Sequence, residues 1–152
     1  MSVATDVDVT RVWLDGFIYH PIIGQDFRSV RFLVDTGADR TTILQGNALS
    51  LQIDFSKLTK AKNKTVGVGG SPDVYEIEDV VIGFEDENTK KPILINLKTL
   101  HVLKPNKKIK NPLTFTLFGT DLLSLFQFNY DLPVVTLRLK KKYHKFIKTN
   151  KK

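Results

Sequence analysis

Apolar and polar positions in this chain mostly exchange every second residue, the rhythm of strands with one covered face. Leu113, Phe115 and Leu117 alternate with Thr114 and Thr116, and Val135, Leu137 and Leu139 repeat the pattern further on. Upstream, Val9, Val12, Trp13, Phe17, Ile18 and Tyr19 make residues 9–19 β-prone, and Pro21 and Gly24 close that run. Gln25-Asp26 turns the chain into a second strand, Phe27 to Val34. Its last residues, Phe32-Leu33-Val34, offer no polar face, so this strand is expected to be covered on both sides. Shorter or weaker strands are expected at residues 41–44, 65–69, 73–83, 92–103, 128–130 and 134–139. Those at 65–69 and 73–83 read as a hairpin joined across Gly69-Gly70-Ser71-Pro72. Helical patterning is confined to Ala48–Ile53, with Asn47 as N-cap, and to Asp121–Phe126, with Thr120 or Asp121 near its start. Frequent short strands with turn residues between them predict a mainly-β domain, a small distorted barrel with one or two short helices.

At 152 residues the chain has a one-domain length, and 41% apolar with 26% charged residues is ordinary for a globular fold. No window approaches 18 consecutive apolar residues, so no membrane span is expected. Residues 1–8 read as a loose polar arm without the basic region and apolar core of a signal peptide. Cysteine is absent, so there is no disulfide framework, and a cytoplasmic setting is expected. The net charge of +7 belongs to the tail: residues 138–152 hold eight basic residues and no acid, leaving 15 basic against 16 acidic elsewhere. The expected organisation is an arm at 1–8, a domain at 9–139 and a basic extension at 140–152. That extension reads as a solvated end. Nucleic-acid contact through it is the lesser reading, because aromatics are not interleaved with the lysines as a stacking platform.

Candidate chemistry centres on Phe32-Leu33-Val34-Asp35-Thr36-Gly37-Ala38-Asp39, where an apolar run delivers an acid into a tight turn. Thr65-Val66-Gly67-Val68-Gly69-Gly70 follows as a glycine-rich tip. Leu117-Phe118-Gly119-Thr120-Asp121 then repeats the order apolar, glycine, small polar residue, acid. Hydrolysis of a peptide by water needs a base for the water and an acid for the leaving nitrogen, and two carboxylates sharing one proton supply both. Only one Asp-Thr-Gly is present, and the acid of Gly119-Thr120-Asp121 is displaced relative to its glycine. One chain therefore carries half of such a pair, which a two-fold dimer completes by setting Asp35 beside its symmetry mate. His20, His101 and His144 lack metal-ligand spacing, the serines lack a nucleophile elbow, and glycines 67–70 lack the lysine of a phosphate loop. Neither a metal nor a cofactor is expected.

In this order the three segments resemble the retropepsin-like aspartic proteases over roughly residues 9–139. The resemblance implies a small acid-protease barrel with a glycine-rich flap hairpin, acting as a homodimeric endopeptidase on peptide or protein substrates. It implies Asp35 as catalytic residue, Thr36 reaching across the two-fold to the opposite subunit, and Gly37 admitting the substrate backbone. Ala38 and Asp39 would line the cleft, and Gly67, Val68, Gly69 and Gly70 would close over it as the flap. Thr120 stands where retroviral relatives carry a supporting arginine, and Arg40, directly after Asp39, is a candidate to substitute for it in part. The alternative is a catalytically inactive dimerisation or peptide-binding module of the same fold.

Overall fold

The computed structural model describes residues 1–62 and 73–146. The two-residue alternation becomes β1 (Ser2–Val3), β2 (Asp6–Asp8), β3 (Arg11–Tyr19), β4 (Arg28–Val34) and β5 (Thr42–Ile43). Then come the helix α1 (Gln45–Ser50) and strands β6 (Thr59–Lys60), β7 (Val74–Glu85), β8 (Pro92–Leu103) and β9 (Thr116–Phe118). The helical turn α2 (Thr120–Leu123) and strands β10 (Phe126–Asp131) and β11 (Val134–Leu139) complete the set. Strands pair in the order β2-β3-β4-β9-β5-β8-β7-β6, and a further β3–β7 pairing closes β3, β4, β9, β5, β8 and β7 into a six-strand barrel. Closure brings Phe17 opposite Gly83 and Ile18 opposite Ile82. It also requires Gly16, since a Cβ there would lie 2.8 Å from the Gly83 carbonyl oxygen and 2.9 Å from the Phe32 ring.

Inside the barrel, Phe32, Phe84 and Phe118 meet with ring centroids 5.4–6.0 Å apart, and Phe126 caps the group from β10. All three central rings are buried to 1% exposure or less, each contributing about 1.5–3 kcal/mol to stability. On β4 the expected two-sided cover is incomplete: Phe32 is buried, while Leu33 and Val34 are half-buried. Leu33 lies on the face turned away from the barrel, whereas Val34, on the same face as Phe32, packs against the core beside the turn.

The sequence reading differs from the fold in four places. Residues 1–8 are not a loose arm: β1 pairs with β11, β2 pairs with β3, and Val3 is buried. The buried Asp86 carboxylate draws this segment in by accepting the Ser2 N–H at 2.8 Å. The first helix starts at Gln45, with Leu44 rather than Asn47 before it. Asn47 is instead inside the helix and buried, its amide donating to Thr116 Oγ1 at 2.7 Å, so a tertiary hydrogen bond outweighs its capping preference. Leu113 does not belong to a strand but is exposed, its carbonyl accepting the Gly46 N–H. Finally, the extension after Leu139 begins as a 3-10 turn, Lys141–Phe146, whose half-buried Tyr143 packs against the core.

Candidate active site

Strand β9 runs parallel to the end of β4, placing Leu33 opposite Leu117 and Val34 opposite Phe118. The pairing continues one step further, with the Asp35 N–H donating to the Phe118 carbonyl at 3.0 Å. There the chain turns back. The Ala38 N–H donates to the Asp35 carbonyl at 3.2 Å, and the Gly37 N–H donates to Asp35 Oδ1 at 2.9 Å, which aims the carboxylate. Asp35 and Ala38 are half-buried, while Thr36, Gly37 and Asp39 are exposed. The expected residues 35–39 thus share one open turn. Gly67, Val68, Gly69 and Gly70, expected as the flap, lie outside the described residues.

A clamp behind the turn was not foreseen from the sequence. Thr41 is fully buried, and its N–H donates to both Asp121 oxygens at 3.0 and 2.9 Å. Its hydroxyl donates to Asp121 Oδ1 at 2.7 Å and accepts the Gly119 N–H at 3.2 Å. Beside it the Thr120 N–H donates to the Ala38 carbonyl at 2.8 Å, and the His101 N–H on β8 donates to the Thr41 carbonyl at 3.1 Å. Gly119 marks the point of closest approach: a Cβ there would lie 2.6 Å from the Arg40 carbonyl carbon and 2.8 Å from Thr41 N. Asp121 is therefore a positioning residue, which explains an acid displaced from its glycine. Its only signal in the sequence is the repeated order of apolar pair, glycine, polar residue and acid. Arg40 does not take the expected supporting role. Its exposed side chain forms no ion pair among the described residues, and Asp39 has no arginine against it.

One face of the site is apolar. Leu44, Val74 and Leu103 form a buried cluster on which the half-buried Ala61, Phe115 and Leu117 pack. Leu117 connects this cluster to Leu33, two residues before Asp35. At the outer end of the turn lies the start of β3, because Trp13 pairs antiparallel with Leu33 and the register carries Arg11 toward Asp35. Val9, in the preceding connection, is 86% exposed with a φ of 57°, a strained backbone for a β-branched residue. The Tyr130 hydroxyl donates to the adjacent Thr10 carbonyl at 3.1 Å, and exposed Leu132 and Val134 follow on the same hairpin. The cavity of about 480 Å³ around Asp15, Phe17, Arg31 and Lys90 contains none of residues 35–39.

No family model matches the chain, and no curated protein matches it in sequence. Among solved structures it is similar to a retropepsin-like aspartic protease from Rickettsia conorii. The two share 19% identity and a TM-score of 0.58 over 91% of this chain and 89% of that one. The retroviral protease-like domain of Ddi1 from Leishmania major is also similar, at 17% identity and a TM-score of 0.46 over 90% and 99% of the respective chains. Likeness at such identity concerns the fold. No helix among the described residues is long and apolar enough to cross a membrane.

Proposed function

We propose, on the premise of the retropepsin-like fold that this chain has, that it is a homodimeric aspartic endopeptidase. Paired Asp35 carboxylates from two subunits activate the water and protonate the leaving nitrogen. The observation that carries this reading is the Asp35 carboxylate itself, aimed by the Gly37 N–H from an open turn that is clamped to α2. One such acid per chain calls for a second copy. The exposed Thr36 hydroxyl has no partner among the described residues, which suits a bond across a two-fold. The uncovered side chains of Val9, Leu132 and Val134 at that end give a partner apolar surface to bury. Gly37 admits the substrate backbone, Ala38 and Asp39 line the cleft, and residues 67–70 close over it. The apolar wall of Phe115 and Leu117 favours a bond between apolar residues.

An Asp35→Asn chain is expected to stay folded and dimeric while losing at least about a thousandfold in kcat/KM on an apolar peptide. Turnover retained in that variant, purified free of contaminating protease, removes Asp35 from the mechanism. Peptide and pepstatin binding with no cleavage by the unaltered chain would instead identify a peptide-binding module.

A further inference from the structure

Two lysine-rich segments lie far apart in sequence, and the fold places them side by side. Residues 57–62 and 104–110 together hold seven lysines and no acid. Strand β6 pairs Lys60 with Tyr75 at the start of β7, and the Ala61 N–H donates to the Val74 carbonyl at 2.8 Å. On the other side, β8 ends with Leu103 opposite Val74, and the Lys104 N–H donates to the Asp73 carbonyl at 3.0 Å. Asp73–Tyr75 is thus flanked by lysines from both directions. Nearby carboxylates meet only two of the seven: Asp73 pairs with Lys60 at 3.2 Å, and Asp54 lies near Lys57. Lys62, Lys107 and Lys108 are exposed and have no ion-pair partner among the described residues.

Lys60, Lys62 and Lys104 border the apolar wall of the candidate site, and Lys107 and Lys108 follow in the same loop as Lys104. Ala61, between Lys60 and Lys62, and Leu103, just before Lys104, belong to the cluster that holds Phe115 and Leu117. We infer that this lysine rim selects polypeptide substrates whose cleaved apolar segment is flanked by aspartate or glutamate. The inference rests on the peptidase reading above and adds the substrate class. A polypeptide fits better than a nucleic acid, because the aromatic beside the lysines is not free to stack on a base. The Tyr75 ring is packed edge-on against Phe55 at 5.2 Å and covered by Lys104 Nζ at 5.9 Å. Apolar contacts beside surface charges suit a peptide with alternating needs: an aliphatic side chain for the wall and carboxylates for the rim.

The test measures binding and cleavage separately. Binding to the full-length Asp35→Asn chain is followed by fluorescence anisotropy for three peptides sharing one apolar centre, flanked by glutamate, glutamine or lysine. The glutamate peptide is expected to bind tighter than the glutamine one by on the order of tenfold, the lysine peptide weaker still. High salt should remove the difference. So should a Lys62→Ser, Lys107→Ser, Lys108→Ser chain with an unchanged unfolding midpoint. Equal binding of all three peptides overturns the inference. It is equally overturned if a single-stranded oligonucleotide outcompetes the glutamate peptide and loses its own binding in the triple variant. The unaltered chain is then assayed for cleavage of the same peptides. Equal cleavage overturns the rim's role and leaves the peptidase reading standing. Absence of all cleavage beside intact glutamate preference removes the peptidase reading and keeps the surface.

Discussion

Thr41→Val tests whether the clamp behind the turn stabilises the site. The substitution exchanges a hydroxyl for a methyl of nearly the same volume at a position with no exposure. Two hydrogen bonds pass through the lost oxygen, one to the Asp121 carboxylate at 2.7 Å and one from the Gly119 N–H at 3.2 Å. A bond to a charged group contributes about 1.5–3 kcal/mol, and a buried donor left without a partner costs about 1–3 kcal/mol. The two losses overlap because one oxygen serves both, and the added methyl returns somewhat under about 1 kcal/mol. The Thr41 N–H still holds Asp121 after the change. The net expectation is therefore a loss of about 2–4 kcal/mol, a large share of the roughly 5–15 kcal/mol that holds a domain together. With a mid-range urea slope of about 2 kcal/mol per molar, the unfolding midpoint should fall by about 1–2 M. Thr41→Ser keeps the hydroxyl and loses only the methyl, so it should fall between wild type and Val. If Val unfolds at the wild-type midpoint, or if Ser is the less stable of the two, packing rather than the hydroxyl holds this turn.

Three further expectations follow from separate parts of the molecule. Under the proposed dimer, Thr36→Ala should weaken self-association by about 1–3 kcal/mol through loss of the hydrogen bond assigned to it across the two-fold, seen as a raised dissociation constant in sedimentation equilibrium; an unchanged constant excludes Thr36 from the interface. The Asp86 carboxylate is held down to about 2, first by the Thr89 hydroxyl, then by the Ser2 and Thr89 N–H groups. The unfolded chain, with an aspartate near about 3.9, binds more protons than the native one in between, so stability is fully present above that value and is lost as pH falls toward 2. Asp86→Asn should flatten this acid limb in urea titrations, and an unaltered limb would assign it to other carboxylates. Ending the chain after Leu139 should cost about 1–3 kcal/mol, because Tyr143 leaves the core and Lys140 gives up its bonds to Leu125 and Ser124; an unchanged melting temperature would show the turn to be decorative.

Strand positions were legible from sequence wherever one face meets the core. The alternation at Val135, Leu137 and Leu139 survives as three buried residues, and the Asp35 turn sits where an apolar run gives way to Asp-Thr-Gly. Capping and termini were less legible, because distant groups decide them. Asn47 was given the helix start by local preference, and Thr116, 69 residues away, holds it inside the helix instead. Residues 1–8 look polar in isolation, yet Asp86 and β11 recruit them. The clamp was hidden for the same reason. Thr41 and Asp121 are separated by 80 residues, and neither carries a local pattern that names the other.

The run Phe32-Leu33-Val34 is informative because its expectation was met only in part. A strand without a polar face is the pattern of an element covered on both sides. In a single chain Phe32 fills the barrel, while Leu33 and Val34 stay half-buried next to the open turn. The same end carries Val9, 86% exposed, and Val134, 64% exposed. A chain selected only to fold alone would gain from polar residues at such positions, since exposed apolar surface brings association and no stability. Under the homodimer proposed above, the partner supplies the missing cover, and the same contact sets the second carboxylate beside the first. In that dimer the apolar approach to Asp35 serves two ends: Phe32 and Val34 pack into the barrel, while Leu33, on the opposite face, is available to the proposed partner.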